Sequence, residues 1–254
     1  MRFGVCTGPE NAHLAAAAGY DYLELGVSSH LRPEASFDLS PLASLSLPVE
    51  AFNLFVPGEI KLGGDVVDWE RVTAYVQSAV PRAVAAGASI IVFGSGGARN
   101  VPEGGDRMVT WKNLERFLTL CSDVATDTPV VIAIEPLNRS ECNIVNSVAE
   151  GMDLVRAVGR PNIAVLSDLY HVDVEKQDYA ETVDAGPNLI HVHVAGAGRR
   201  APTAEDIPFL TGYFRAVKAA GYTGRVSVEC RWENVDTEFQ AALDAMRTAW
   251  DAAL

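Results

Sequence analysis

The sequence predicts an α/β protein folded as a single (β/α)₈ TIM barrel over residues 1–254. Three observations carry that expectation. The length of 254 residues matches the roughly 250 typical of one such barrel. Short β-branched runs alternate with longer helix-like stretches along the whole chain. No Pro/Ser-rich linker, charge block or low-complexity tract divides it, and its 48% hydrophobic content can fill a large core.

The strand-like runs are Phe3–Cys6, Tyr22–Leu25, Val49–Asn53, Ile90–Phe93, Val130–Ile134, Ile163–Leu166, Leu189–Val194 and Val226–Glu229. Eight of them, with helical signal between most, point to parallel β/α units. Met1–Cys6 reads as the first strand rather than a secretion signal. No apolar run approaches the roughly 20 residues needed to span a bilayer. After the third strand, Val72, Tyr75, Val76, Ala79 and Ala83 repeat at helical spacing. Pro81 lies inside that stripe and predicts a kink or a break. Phe239, Leu243, Met246 and Trp250 form a similar stripe near the C-terminus, the mark of a helix packed on the sheet.

Glycines follow two of the strands, in Gly94-Ser95-Gly96-Gly97-Ala98-Arg99-Asn100 and in Gly196-Ala197-Gly198. They can cradle a phosphate or simply permit tight turns. Neither stretch is a P-loop, and no GxGxxG opens a helix near the N-terminus. A doubly wound nucleotide-binding sheet is therefore the weaker fold alternative.

Composition narrows the function. Acidic residues outnumber basic ones 33 to 20, a net charge of −13, which repels nucleic acid phosphates. The doublet Arg199-Arg200 is too small to reverse that, although it can hold an anionic or hydroxyl-rich small molecule. Cys6, Cys121, Cys142 and Cys230 lie far apart with no Cys-x-x-Cys pair, so neither a disulfide framework nor a thiolate zinc site is expected. A cytoplasmic protein with no membrane partner is the expectation.

Four successive strands close on a metal-competent side chain. Val130–Ile134 runs into Glu135, Ile163–Leu166 into Ser167-Asp168, Leu189–Val194 carries His191 and His193, and Val226-Ser227-Val228 ends on Glu229. In a (β/α)₈ barrel, catalytic groups come from the C-terminal strand ends. Alternation places Glu135 with Ala133, Glu229 with Ser227 and His193 with His191, on the less apolar face of each strand. Three carboxylates gathered there repel one another unless protonated or compensated by a cation. With one imidazole they form an O₃N set that suits Mn²⁺, Co²⁺ or Mg²⁺, and also Zn²⁺. Taken singly, each residue has a plainer explanation: a solvated loop glutamate, a core histidine, or, for Asp168, a helix cap. Glu24, ending the second strand, lines the mouth or sits in a solvated loop. Trp111 and Trp232 wall a pocket or pack in the core.

Four segments resemble the xylose isomerase-like TIM-barrel superfamily, particularly its sugar phosphate isomerase/epimerase group of ketose 3-epimerases and inosose dehydratases. They are Glu135-Pro136-Leu137-Asn138-Arg139-Ser140-Glu141, Ser167-Asp168-Leu169-Tyr170-His171, His191-Val192-His193 followed by Arg199, and Gly94–Arg99. The resemblance implies one divalent metal, Mn²⁺ foremost, on Glu135, Asp168, His193 and Glu229. It implies substrate contacts from Glu141, His171 and Arg199. Where those epimerases usually carry a glutamate three residues past the second histidine, this chain has Gly196, and it is shorter than typical ketose epimerases.

The expected activity is metal-dependent sugar isomerisation or epimerisation through an enediolate, with Glu135 and Glu229 moving the proton. Dehydration of an inosose or related keto-polyol shares the same first step. A non-catalytic or partner-dependent sugar-binding barrel is the reading outside catalysis, and a homo-oligomer is compatible with all of these. A multi-metal abasic-site endonuclease is disfavoured by the charge and by a total of five histidines.

Overall fold

The computed structural model describes residues 1–254. Eight strands, β1 (Arg2–Cys6), β2 (Tyr22–Gly26), β3 (Val49–Asn53), β4 (Ile90–Phe93), β5 (Val131–Ile134), β6 (Ile163–Asp168), β7 (Leu189–Val194) and β8 (Arg225–Val228), form a closed barrel in sequence order. Every pairing is parallel, and β1 pairs with β8 to complete the ring. The expected strands fall within two residues of these bounds. Glu229 lies one residue beyond β8 rather than at its end, and β6 extends through Asp168.

Alternation divides the side chains between two cores. Tyr22, Ala51, Ile90, Val92, Ala133 and Leu166 fill the barrel interior. The opposite strand faces, with Phe52, Ile91, Ile132, Ile134, Val192 and Val228, belong to the larger core beneath the helices. The inward positions at the C-terminal strand ends are polar: Glu24, Asp168, His193 and, just past β5 and β8, Glu135 and Glu229.

The helices are α1 (Ala12–Ala18), α2 (Ser40–Ala43), α3 (Trp69–Ala85), α4 (Gly96–Arg99), α5 (Arg107–Val124), α6 (Val148–Val158), α7 (Leu169–Val174), α8 (Ala180–Ala185), α9 (Ile207–Ala219) and α10 (Val235–Ala252). Side-chain caps fix several starts: the Asp68 carboxylate accepts from Arg71 N, and Ser147 Oγ from Glu150 N, each satisfying a first-turn amide. The stripe Val72, Tyr75, Val76, Ala79 and Ala83 is the buried face of α3. Of the kink or break expected at Pro81, the break does not occur, because α3 runs through it. Pro81 and Gln77 both lie on the exposed face, where the carbonyl deprived of its donor is free to meet water, while Val80 and Ala83 anchor the buried side. Phe239, Leu243 and Met246 are likewise buried on α10. No helix is long and apolar enough to cross a membrane.

Candidate metal and sugar site

Glu135, Asp168, His193 and Glu229 converge at the C-terminal mouth, each offering one ligand atom within 4.8 Å of the others. The first three are buried and Glu229 is partly exposed. His193 is the hub: its Nδ1 lies 3.2 Å from Glu135 Oε1 and 3.7 Å from Glu229 Oε2. Asp168 spends one oxygen as the cap of α7, accepting from Tyr170 N at 2.8 Å. The plainer reading of Asp168 as a helix cap is thus true of Oδ1. Its Oδ2 is buried without a hydrogen-bond partner.

These residues fit a divalent cation. Two ligand atoms each about 2.1 Å from one ion stand at most about 4.2 Å apart, so a spread of 4.8 Å needs only a small contraction. An unpartnered buried carboxylate oxygen is costly, and here it faces three further donors of the kind such ions take.

The charges of the cluster pull in different directions. Burial drives the Glu229 carboxyl up, and the neighbouring Glu135 and Asp168 charges add to that, against His193 and Arg199, leaving it at about 7. Burial also opposes ionisation of Glu135, but the hydrogen bond and charge of His193, with His171 and Arg199, bring it below the ordinary carboxylate value. Burial lowers His193, yet the charges of Glu24 and Glu229 and the bonds to Glu135 and Glu24 carry it well above the ordinary imidazole value.

Glu24 neither lines the mouth nor sits in a loop. It is fully buried, on the far side of the His193 ring from the other carboxylates. Its Oε1 accepts from His193 Nε2 at 2.9 Å, and its Oε2 accepts from His191 Nε2 at 2.8 Å and Ser227 Oγ at 2.6 Å. Tyr22 closes the network from below through a 2.8 Å bond to Ser227 Oγ. Burial disfavours the Glu24 charge, but the two imidazoles hold its carboxyl well below the ordinary range. With Nε2 committed to Glu24, Nδ1 is the nitrogen His193 presents to the site, the carboxylate–histidine arrangement that orients metal ligands.

Glu141, His171 and Arg199 border the cluster. His171, on α7, accepts at Nδ1 from the backbone and side-chain amides of Asn138 (3.1 and 2.9 Å). Its hydrogen therefore sits on Nε2, which has no partner and lies 3.5 Å from Asp168 Oδ2. Arg199 reaches Glu229 at 2.5 Å and Glu141 at 3.1 Å, and its guanidinium lies 4.8 Å from the centre of the Tyr170 ring. Arg200, its neighbour in sequence, turns away to pair with Asp206, so the doublet does not act as one anion site. A side chain at Gly196 would begin 3.0 Å from both Arg200 Nη1 and Asp206 Oδ2. This pair fills the space a glutamate at that position would need.

The glycine stretch after β4 makes room for the site. A Cβ on Gly94 would lie 2.2 Å from Glu135 Oε2, so the carboxylate occupies the space a side chain would take. Arg99, in the short α4, is fully buried and donates to the carbonyls of Phe93 (2.8 Å) and Glu135 (2.7 Å), fixing the ends of β4 and β5. Neither tryptophan walls the pocket. Trp232 packs on Phe239 with ring centres 4.7 Å apart and donates to Cys6 O, and Trp111 packs against the core from α5. The cleft over Glu135 and Glu229 has a volume of about 420 Å³ and is walled instead by Ser28, Leu54, Pro57 and residues 94–97.

The sequence model of the xylose isomerase-like TIM barrel matches residues 12–249. The chain belongs to that family. A D-psicose 3-epimerase of Agrobacterium fabrum is 34% identical over 109 residues, 42% of this chain and 37% of that protein. The chain matches less than half the length of the first such curated relatives. Among solved structures, D-allulose 3-epimerase of Methylomonas sp., in complex with D-allulose, superposes with a TM-score of 0.84 at 22% identity, over 98% of this chain and 97% of that one. The 3-keto-D-glucoside 4-epimerase of Escherichia coli gives 0.80 at 21% identity, over 98% and 99%. At that identity the structural likeness establishes the fold.

Proposed function

We propose that this protein is a metal-dependent epimerase of keto-sugars, with Glu135 and Glu229 as the proton-transfer pair. The observation that carries the reading is the convergence of two glutamates from separate strands on one small volume, beside the orphaned Asp168 oxygen and the His193 imidazole. The relatives named as ketose and keto-glucoside epimerases support it.

Glu135, Asp168, His193 and Glu229 hold the ion, Mn²⁺ foremost, with Co²⁺, Mg²⁺ or Zn²⁺ as alternatives. When bound, it supplies Lewis acidity that acidifies the carbon next to the carbonyl and compensates the developing negative charge. One glutamate takes the proton from that carbon. The other delivers a proton to the opposite face, so that the same carbon is re-formed with inverted configuration. Arg199 and Glu141 bind hydroxyls of the sugar, and the free Nε2–H of His171 donates to an oxygen of the substrate. The buried floor of Glu24, His191 and Ser227 fixes the orientation of the His193 imidazole, which in turn contacts Glu135.

The test joins composition to turnover. Purified protein should carry about one divalent ion per chain, lost in Glu135→Ala and His193→Ala. Glu135→Gln and Glu229→Gln should each lower kcat on a keto-sugar by at least about 10²-fold. Turnover surviving in either variant removes that residue from proton transfer, and a wild type that binds no metal even in excess Mn²⁺ contradicts the reading.

A further inference from the structure

The cleft does not end above the metal ligands. A second basin of about 280 Å³ opens beside it, lined by Ser28, Arg32, Glu34, Pro57, Glu59 and Tyr75. Ser28, Pro57 and Glu59 line both volumes, so the two lie side by side, in line from the reacting glutamates out over the loops after β2 and β3. The inner volume of about 420 Å³ already falls within the roughly 300–1,000 Å³ that encloses a small ligand. The outer basin therefore lies beyond what a single sugar ring requires.

Backbone strain follows the same line. Seven non-glycine residues adopt positive φ, and four of them line the two volumes: Arg32 (47°), Leu54 (48°), Ser95 (44°) and Arg199 (66°). Such conformations cost of order 1 kcal/mol or more each and persist where surrounding structure enforces them, commonly at binding sites. At Leu54 the result is a large apolar side chain left 60% exposed on the cleft wall, suited to the C–H face of a sugar rather than to water. Arg32 is exposed and lines the outer basin.

The outer basin also has a definite chemical character. Glu34 is taken by Arg71 through bonds of 2.6 and 2.9 Å, while Arg32 and Glu59 form no ion pair. With Glu34 neutralised by Arg71, the single charges of Arg32 and Glu59 leave the basin without the excess of cations that would hold a phosphate. An uncharged group with several hydroxyls finds both donors and acceptors there.

We infer that the substrate is a keto-sugar carrying a second ring, a keto-glycoside, whose reacting ring lies over Glu135 and Glu229 and whose second ring occupies the Arg32–Glu59 basin. This rests on the epimerase reading and specifies its substrate class. The loops after β2 and β3 then set specificity, while the β5–β8 ends supply the chemistry.

Steady-state kinetics of Mn²⁺-loaded enzyme on D-allulose, on methyl 3-keto-D-glucoside and on a 3-keto-disaccharide of glucose test it. The expected result is a kcat/KM at least about tenfold higher for the keto-disaccharide than for D-allulose, the methyl glucoside lying between. Arg32→Ala and Glu59→Ala should each shrink that preference about tenfold, chiefly through KM for the keto-disaccharide. D-allulose turned over as well as the glucosides, or a preference untouched in both variants, overturns the keto-glycoside assignment and leaves the epimerase reading standing. Turnover of none of these sugars by metal-loaded protein overturns both.

Discussion

Replacing Glu24 by glutamine keeps the shape of the buried floor and removes its charge. In the wild type the carboxylate accepts three hydrogen bonds, from His193, His191 and Ser227, at 2.9, 2.8 and 2.6 Å. A glutamine offers one carbonyl oxygen and an NH₂, so at most one imidazole retains an acceptor as good as before, and neither faces a negative charge. His193 Nδ1 then becomes a less basic ligand on a less firmly oriented ring. Losing such an outer partner typically weakens metal binding about 10–100-fold, or about 1.4–2.7 kcal/mol. The assay is competition against a fluorescent chelator at alkaline pH, where protons compete least for the imidazole, with circular dichroism to verify the fold. Wild-type affinity in folded Glu24→Gln would refute the claim that Glu24 prepares His193 for a metal. Glu24→Asp should fall between the two, because it restores the charge but not the reach.

Three other outcomes follow from the geometry. Gly94→Ala places a carbon where Glu135 Oε2 now lies; the flexible carboxylate should move aside, so turnover and metal affinity fall while the melting temperature changes little, and a fully active Gly94→Ala contradicts this placement. Chelated protein should lose stability as pH rises: Glu229 stands at about 7 when folded against 4.5 ordinarily, so the unfolded chain releases that proton first and up to about 3 kcal/mol is lost across that window. His193, raised when folded, extends the loss to higher pH, and thermal melts of chelated and metal-loaded protein compared over pH should show a steeper decline in the former. Arg99→Met leaves the buried carbonyl of Glu135 without its donor, while that of Phe93 keeps the amide of Glu135; the orphaned group costs about 1–3 kcal/mol, and denaturant titration should show a loss of at least that size.

Much of the barrel was legible because its strands are short runs of β-branched and apolar residues between glycines and polar loops. A run such as Ile90–Phe93, buried on both faces, admits few other interpretations. The ligand positions were legible from parity: Glu135 and Ala133 share a face, and so do His193 and His191. Glu24 was not, since a lone glutamate after Tyr22-Leu23 looks the same whether solvated or buried. What buries it is a pair of histidines 167 and 169 residues further on, a partnership no local pattern encodes. The HxH segment held the available clue, since His191 needed a buried acceptor and an inward carboxylate on another strand was the candidate. Trp232 misled for the opposite reason. It follows Glu229 by three residues, but its indole turns beneath the mouth to Cys6 and Phe239. Arg199 and Arg200 diverge because Arg199 takes a positive φ, which sends adjacent side chains to different partners.

The most direct test of the account is turnover of a keto-sugar in D₂O by metal-loaded protein, followed by proton NMR of the epimerised product. Proton transfer through Glu135 and Glu229 predicts deuterium at the inverted carbon next to the carbonyl and at no other position, abolished by chelation. Epimerised product with no deuterium at that carbon, or label appearing equally in Glu135→Gln, would contradict it.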